Sequence, residues 1–338
     1  MPNGPEAASA FLALASCSAC APLNPALRKS DFEAAFRSLR AEALLVESGV
    51  EGPAAEAAHA LGIRLLRLRK GGPAGWFDLV DAGEVSELDW PGSDDTALLL
   101  HTSGTTSRPK LVPLTGANLC ASARHIAQSL ALTAGDRCLN ILPLFHIHGL
   151  AATLLATLAS GGGVVLTDGV YAAGFFEWLE QFQPTWYTAV PTMHQGILAG
   201  ASRHRAVLEA ARLRFVRSSS APLPKSVAAA LEDAFRAPLI EAYGMTEAAH
   251  QIASNRFRPL NESSAPSAFP QARKWPFFPR PAEFCLAAKP AGSAKLSSAV
   301  GMSPPGTRTM SKPTPRRLWT AGSARGIWDA STRMATCT

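Results

Sequence analysis

The chain has 338 residues, 47% of them hydrophobic and 17% charged, which is enough for a sizeable core and for one or two domains. Six cysteines are scattered along it, so no disulfide framework is expected and a cytoplasmic setting is favoured. Cys17 and Cys20 have the spacing of a redox or zinc pair, but no second pair or nearby histidine completes a site, which favours structural cysteines. The N-terminus has no charged leader followed by an apolar stretch, so no secretory signal is expected.

The net charge of +6 is unevenly distributed along the chain. Residues 256–338 contain 13 of the 32 Lys and Arg residues but 3 of the 26 Asp and Glu residues, which gives this tail +10 and leaves −4 for residues 1–255. The tail also contains 11 of the 26 prolines and has no amphipathic period, so it is predicted to be disordered as an independent segment. Nucleic-acid binding by the tail is disfavoured, because its basic residues carry no interleaved aromatic pattern or recognised module.

The remaining residues alternate between helical and extended patterns. Helices are predicted within 6–25 (ending in a Pro-Leu-Asn-Pro turn), 30–40, 52–62, 116–130, 149–160, 174–182, 203–213 and 224–235. The helix over 30–40 is predicted to begin at a Ser30 cap. Short apolar strands are predicted over 41–48, 63–68, 96–102, 108–115, 136–144, 161–167, 184–191 and 214–220.

This alternation predicts an α/β fold with stacked, mostly parallel sheets and flanking helices. The longest apolar run begins at Gly149 and is interrupted by three glycines, Gly161, Gly162 and Gly163. A buried helix followed by a buried strand is therefore favoured there over a membrane span.

A hydroxyl-rich stretch separates the strands predicted over 96–102 and 108–115. It consists of Thr102, Ser103, Gly104, Thr105, Thr106 and Ser107, and Lys110 follows. Successive N–H groups and hydroxyls could hold phosphate oxygens, with a glycine that permits close approach and a lysine that adds positive charge. The spacing is not that of the GxxxxGK[ST] phosphate loop, and on these residues alone an ordinary polar hairpin loop remains the alternative.

Four motifs in order identify a family resemblance. They are "TSGTTSRPK" (102–110), "LPLFHIHGL" (142–150), "RSSSAPLP" (217–224) and "EAYGMTEA" (241–248). Together they resemble the adenylate-forming acyl-CoA synthetase superfamily, the AMP-dependent synthetases and ligases. The resemblance implies the N-terminal domain of an adenylate-forming enzyme, which activates a carboxylic acid with ATP and Mg²⁺ and passes the acyl group to coenzyme A.

The resemblance also implies roles for individual residues. Lys110, Thr246 and Glu247 would be catalytic: Lys110 as a cationic contact, Thr246 at the α-phosphate and Glu247 as the Mg²⁺ ligand. The loop from Thr102 to Thr106 would cradle the β- and γ-phosphates. Adenine would lie against the ring of Tyr243, with Gly244 admitting the ligand and with the base lined by Ser220, Ala221 and Pro222.

The substrate class is inferred from three stretches that most resemble oxalate–CoA ligases: "FHIHGL", "TWYTAVPTMHQ" and "GMTEAAHQIASN". Such a ligase would bind a small carboxylic acid, ATP and coenzyme A. Four histidines could place donors near a small, doubly charged acid: His146, His148, His194 and His250. His146 and His250 are the favoured substrate contacts, and structural histidines are the alternative for all four.

The sequence departs from the family pattern at both of its ends. Relatives carry a further strand and helix before the first predicted helix, so the adenylation domain, residues 1–255, is expected to be partial. The resemblance stops near Asn255, and residues 256–338 match neither the linker nor the mobile C-terminal domain of the family, which is therefore expected to be absent.

The codons that encode residues 256–338 suggest why this tail does not match the family. Trp has a single codon, so reading from the third base of each codon forces Asp from Trp319-Thr320, Ala from Trp275-Pro276 and Gly from Trp328-Asp329. All three fall where the family has them, and residues 319–338 become compatible with its ribose-binding region. A frame-shifted tail is therefore expected. The chain would then be an acid–CoA ligase fragment with little or no activity, and a non-catalytic nucleotide-binding remnant is the alternative.

Overall fold

The computed structural model describes residues 1–80, 90–102, 110–169, 172–255 and Phe257. The α-helices are α1 (Pro5–Ala15), α2 (Lys29–Leu39), α3 (Pro53–Ala60), α4 (Gly116–Ser129), α5 (Ala156–Ala159), α6 (Ala172–Phe182), α7 (Pro191–Ala201), α8 (Arg205–Ala210) and α9 (Lys225–Phe235). The strands are β1 (Ala43–Glu47), β2 (Arg64–Lys70), β3 (Phe77–Leu79), β4 (Thr96–Thr102), β5 (Lys110–Thr115), β6 (Arg137–Asn140), β7 (Gly163–Leu166), β8 (Trp186–Ala189), β9 (Phe215–Ser218), β10 (Leu239–Met245) and β11 (His250–Ser254). A π-helix over His148–Leu155 runs directly into α5, and 3-10 turns cover Ser202–His204 and Thr246–Ala248.

Among the described residues, the largest sheet has six strands in the order β11-β10-β9-β8-β6-β7. Every neighbouring pair from β10 to β7 is parallel, and β11 adds an antiparallel edge strand. The prediction of an α/β fold with mostly parallel strands is confirmed.

Successive residues of these strands point to opposite faces of the sheet, and both faces are buried. On one face the side chains of Leu139, Tyr187, Val216 and Leu239 pack against α6, α7, α8 and α9. On the other face Cys138, Trp186, Phe215 and Ile240 pack against α4, the π-helix and α5. Burial on both sides explains why the strands appear in the sequence as continuous apolar runs rather than as alternating ones.

Two smaller sheets account for the remaining strands. β1 and β2 are parallel with β3 added antiparallel, and β4 and β5 form an antiparallel pair. The β4–β5 pair shares a core with α1, α4 and the π-helix, in which Leu98, Leu114 and Leu150 are almost completely buried. This packing connects strands β4 and β5 to the layer of helices beside the large sheet.

The structure corrects the predicted start of α2. The helix begins at Lys29 with Arg28 as its N-cap, so Ser30 lies inside the first turn and the predicted Ser30 cap is wrong. The Asp31 carboxylate accepts hydrogen bonds from the backbone N–H and the guanidinium of Arg28. Charge at the first turn therefore performs the capping that a hydroxyl was expected to perform.

The apolar run from Gly149 is a helix followed by strand β7, as predicted, but its first two turns are π-helical. The Thr153 hydroxyl donates to the Gly149 carbonyl, and the Thr157 hydroxyl donates to the Thr153 carbonyl at 2.5 Å. Hydroxyls that bond back to carbonyls four residues earlier compete with the ordinary helix ladder. None of the helices in the described residues has both the length and the apolar character needed to cross a bilayer.

An ion pair between the buried Asp136 and the half-buried Arg214 joins the amino ends of three parallel strands. The Asp136 carboxylate, just before β6, accepts from Arg214 at 2.6 Å, from Thr185 at 2.7 Å and from the Thr133 N–H at 2.8 Å. Burial acts to raise the pKa of Asp136, but the hydrogen bonds from Arg214, Thr185 and Thr133 together lower it below the ordinary value.

Asp136→Asn is expected to destabilise the fold by about 1–3 kcal/mol, because a charged acceptor of several hydrogen bonds is lost. The lowered pKa means that the contribution of Asp136 is present above about pH 4 and is lost as the pH falls below that value. Urea unfolding at several pH values measures both effects, with Asp233→Asn on the exposed face of α9 as the control. Equal stability of Asp136→Asn and wild type at pH 7 would contradict the assignment.

Candidate functional site

Three of the four motifs lie at or directly after the carboxyl ends of parallel strands of the large sheet. The segment 142–150 follows β6, the segment 219–224 follows β9, and β10 continues into the turn Thr246–Ala248. Carboxyl ends of parallel strands lie at one edge of the sheet, which is where open α/β sheets bind ligands. The fold therefore brings together motifs that are up to about a hundred residues apart in the sequence.

The hydroxyl-rich stretch joins β4 to β5. Thr102 ends β4, Lys110 begins β5, and the two residues face each other in the antiparallel register. Lys110 is exposed. Strand β5 contacts the turn Thr246–Ala248, so the structure places the strand that begins with Lys110 against the turn that carries Glu247. Four residues of the predicted phosphate cradle lie outside the described residues: Ser103, Gly104, Thr105 and Thr106.

The predicted nucleotide contacts are accessible. Tyr243 is 55% exposed, which is unusual for a large aromatic side chain in a strand. Glu247 is exposed in the 3-10 turn beside the half-buried Thr246. The predicted base-lining residues Ser220, Ala221 and Pro222 are exposed after β9, and Ser220 adopts a positive φ of 75°. The predicted roles of these residues are compatible with their exposure and stay predictions.

Gly244 is required by a close backbone approach. A Cβ at this position would lie 1.6 Å from the His250 carbonyl oxygen, because the β10–β11 register shifts between Tyr243 and Gly244. The return strand β11 begins at His250, which has a φ of 102°, and Ala249 directly before it has a φ of 52°. Positive φ values at non-glycine residues are costly and persist where surrounding contacts impose them. Here Ser122 of α4 donates to the Ala249 carbonyl and helps to impose them.

Beneath this edge lies a buried polar group that we call the Arg217 cluster: Arg217, His148, Thr188, His250 and Gln251. Arg217 Nη1 lies 3.1 Å from His148 Nε2 and 3.4 Å from Thr188 Oγ1. Arg217 Nη2 donates to Gln251 Oε1 at 3.0 Å. The rings of His148 and His250 have centroids 4.7 Å apart. Arg217 on β9 faces Thr188 on β8, so the sheet register itself creates this neighbourhood.

The partners of His148 determine which of its nitrogens carries the proton. His148 Nε2 lies 3.1 Å from Arg217 Nη1 and 2.9 Å from the Thr188 hydroxyl oxygen. Because arginine has no acceptor, we assign Nε2 as the acceptor of both hydrogen bonds. The remaining nitrogen, Nδ1, then carries the hydrogen and donates to Ser220 Oγ at 3.0 Å. His148 must therefore be neutral. Burial lowers its pKa well below the ordinary value, and the neighbouring His250 and Arg217 lower the pKa further.

The predicted histidines separate into two groups. His146 is exposed and packs against Phe145, with ring centroids 4.6 Å apart, whereas His250 is 3% exposed and lies in the Arg217 cluster. His194 is buried against the Tyr187 hydroxyl, and burial lowers its pKa to about 4.

The sequence analysis missed Arg217, Thr188 and Gln251 as site residues. One signal was present for Arg217: a charged residue inside an otherwise apolar strand pattern, "RFVRS".

The residues fit magnesium bound together with a nucleotide rather than a metal held by protein alone. Within the described ranges, no group of three or more His, Cys, Asp or Glu side chains could hold a metal ion. Magnesium typically takes one or two protein carboxylates and completes its shell with water and substrate phosphates. An exposed Glu247 suits that arrangement.

Comparisons with known proteins agree with this geometry. Residues 1–273 match the model of a family described as AMP-binding enzyme. The oxalate–CoA ligase of Arabidopsis thaliana is 42% identical over 265 residues, which are 75% of this chain and 51% of the relative. That of Saccharomyces cerevisiae is 40% identical over 178 residues, 52% of this chain and 32% of the relative. A solved malonyl-CoA ligase ternary product complex with methylmalonyl-CoA and AMP has 28% identity and a TM-score of 0.65, covering 76% of this chain and 53% of that one. The chain spans about half the length of the first of these relatives.

Proposed function

The chain belongs to the AMP-binding enzyme family, and within it we propose the nucleotide- and acid-binding part of an AMP-forming acid–CoA ligase for a small acid such as oxalate. The observation that carries the proposal is the meeting of the strand that begins with Lys110 and the turn that carries Glu247 at the carboxyl edge of the sheet. That arrangement supports the proposal, because the groups that we propose to bind phosphate and metal would lie where ligands bind in such folds.

The chemistry requires an acid carboxylate to attack an anionic phosphate, so the site must offset negative charge and align the reacting groups. Lys110 supplies positive charge and Glu247 a hard oxygen ligand for Mg²⁺, which would be bound together with ATP. Mg²⁺, when bound, neutralises phosphate charge. Thr246 offers a hydroxyl to the α-phosphate, and the exposed ring of Tyr243 offers a flat apolar surface to adenine.

Oxalate is proposed for two reasons. Two of the relatives described above are named oxalate–CoA ligases. The Arg217 cluster adds buried hydrogen-bond donors on the same edge of the sheet, beneath Ser220. A buried polar site of this kind suits a small charged acid better than a long acyl chain.

We propose that this chain binds Mg·ATP but turns over slowly or not at all. The family resemblance places the ribose-binding Asp and the adenylation Lys after the segment that matches the family model, residues 1–273, and we assign neither role to a residue of 274–338. We attribute residues 256–338 to an out-of-frame reading, because the shifted frame restores Asp, Ala and Gly from the three Trp codons. Re-sequencing the DNA from the codon of His250 to that of Pro266 tests this; an added or missing base there would restore the family pattern, and unchanged DNA would make the frame change real.

The direct test of function is ATP–pyrophosphate exchange with oxalate, together with calorimetric binding of Mg·ATP. The expected result is measurable ATP binding with exchange at or near background. Exchange above background that Lys110→Ala abolishes would show a working adenylation site and would contradict the slow-turnover proposal. A chain that binds no ATP would contradict the proposed function itself. ATP binding whose affinity does not change when oxalate is added would favour the alternative, a nucleotide-binding remnant.

A further inference from the structure

Two residues with positive φ follow the turn that carries Glu247. Ala249 has a φ of 52° and His250 a φ of 102°, and both residues are buried. Neither is a glycine, and a β-carbon makes this region of backbone conformation costly. The chain therefore leaves the turn Thr246–Ala248 in a conformation that its local sequence does not favour, and contacts from elsewhere in the fold must hold it there.

Ser122 on α4 supplies one such contact. Ser122 is buried, and its hydroxyl donates a hydrogen bond of 2.5 Å to the carbonyl oxygen of Ala249. This carbonyl belongs to the peptide group that joins Ala249 to His250, so the hydrogen bond fixes the plane between the two residues with positive φ. Without the Ser122 hydroxyl, a buried carbonyl would lose this donor and the peptide group would be free to rotate.

The same peptide group is connected to the position of Glu247. The Ala249 N–H donates to the Thr246 carbonyl oxygen at 2.9 Å and closes the 3-10 turn. Glu247 lies between these two residues and is exposed. A rotation at Ala249 would therefore open the turn and change the direction of the Glu247 side chain.

Helix α4 is itself fixed to the strand that begins with Lys110. Strand β5 runs from Lys110 to Thr115, and the Thr115 hydroxyl caps α4 by accepting from the Asn118 N–H at 3.1 Å. Asn118 Oδ1 accepts from the Thr115 N–H at 3.1 Å, which completes a capping box. Ser122 lies about one turn further along the helix. One continuous segment thus joins the proposed phosphate-binding lysine to the hydrogen bond that holds the turn.

We propose that Ser122 is a positioning residue, which holds Glu247 in the direction that binds the magnesium of Mg·ATP. The inference rests on the proposed function, because it takes Glu247 as the Mg²⁺ ligand. Ser122 acts through the backbone: it fixes the Ala249 carbonyl, this carbonyl fixes the turn, and the turn directs the carboxylate. The effect of Ser122 on nucleotide binding therefore requires both magnesium and Glu247.

The first test compares Ser122→Ala with the wild type by calorimetry, using Mg·ATP and ATP in EDTA. Ser122→Ala is expected to weaken Mg·ATP binding by about 10-fold and to leave ATP binding in EDTA within about twofold. In a chain that already carries Glu247→Gln, Ser122→Ala should weaken Mg·ATP binding by less than about twofold, because the effects of residues that act through one another do not add.

Ser160→Ala is the matched control for this test. The Ser160 hydroxyl also donates to a backbone carbonyl, that of Thr157 at 2.7 Å, but Ser160 ends α5 and precedes the amino end of β7. It therefore lies at the opposite edge of the large sheet from the turn. Its replacement removes the same kind of hydrogen bond and should change neither affinity.

The second test removes the backbone cost instead of the hydrogen bond. Glycine adopts positive φ freely, so adding Ala249→Gly to the Ser122→Ala chain should restore Mg·ATP binding to within about threefold of the wild type. Hydrogen exchange of the ligand-free chain gives a readout without metal. Exchange over residues 246–250 should be at least about fivefold faster in Ser122→Ala than in the wild type or in Ser160→Ala.

Three results would overturn the inference: a Ser122→Ala chain that binds Mg·ATP like the wild type, one that loses ATP binding equally in EDTA, or one that adds its full effect to that of Glu247→Gln. If Ser122→Ala does not fold, Ser122→Cys decides, because a thiol of similar size donates only weakly; wild-type affinity for Mg·ATP in Ser122→Cys would then contradict the inference. A wild type that binds no Mg·ATP would defeat the proposed function and this inference with it, whereas each of the three results above leaves the proposed function standing.

Discussion

Glu247→Gln is expected to weaken Mg·ATP binding by about 100-fold or more. The substitution preserves size and hydrogen bonding but removes the negative charge that a hard cation prefers. Glu247 lies exposed in the turn Thr246–Ala248 against β5. The magnesium that shields the phosphates would therefore lose its proposed protein carboxylate. Calorimetry with Mg·ATP, and with ATP in EDTA, measures the effect.

The comparison without magnesium makes the prediction specific. ATP alone should bind Glu247→Gln at least as well as it binds the wild type, because a carboxylate that repels the triphosphate has been removed. Glu209→Gln, on the exposed face of α8, is the matched control and should leave both affinities unchanged. Equal weakening with and without magnesium would show that Glu247 acts through local structure rather than through the metal.

Gly244→Ala is expected to cost at least about 3 kcal/mol of folding stability. A Cβ placed 1.6 Å from the His250 carbonyl oxygen cannot be accommodated without separating β11 from β10. That movement would also displace His250 and Gln251 from the Arg217 cluster. Chemical unfolding gives the free energy, and calorimetry with oxalate reports the state of the cluster.

Gly163→Ala provides the control for this substitution. Gly163 also lies in a strand of the large sheet, but a Cβ there would contact no atom within 4 Å. Its replacement should change stability by less than about 1 kcal/mol and leave ligand binding intact. A Gly244→Ala chain as stable as Gly163→Ala would show that the β10–β11 approach is looser than described.

Most strands of the fold were predictable because burial on both sheet faces produces short apolar runs with a clear boundary. The predictions did not include β3, β10, β11 and α7. Strand β3 has three residues, and β10 loses its apolar character after Ile240, where it leaves the core for the ligand edge. Helix α7 contains two glycines, and its place depends on packing; Gly200, for example, lies so close to Phe176 that a Cβ would approach its ring to 2.8 Å.

The candidate site was predictable only in its outer part. The motifs predict Lys110, Tyr243 and Glu247 as site residues, because each motif is a contiguous stretch of the sequence. The Arg217 cluster has no such signature, since Arg217 is 69 residues from His148 and 34 from Gln251. Among the described residues, this cluster is distinguished by joint burial without a carboxylate partner for Arg217, and that property arises from the packing of β8, β9 and β11.

The proton that these contacts assign to His148 Nδ1 also affects the surface above it. Because Nδ1–H donates into Ser220 Oγ, it occupies a lone pair of that hydroxyl and leaves the Ser220 hydrogen available to a ligand. A buried arginine thus acts, through one intervening ring, on the hydrogen bonding of an exposed serine. Ser220 keeps its proton for the negatively charged oxygens of an acid or a phosphate, because His148 occupies one of its lone pairs and takes no proton from it.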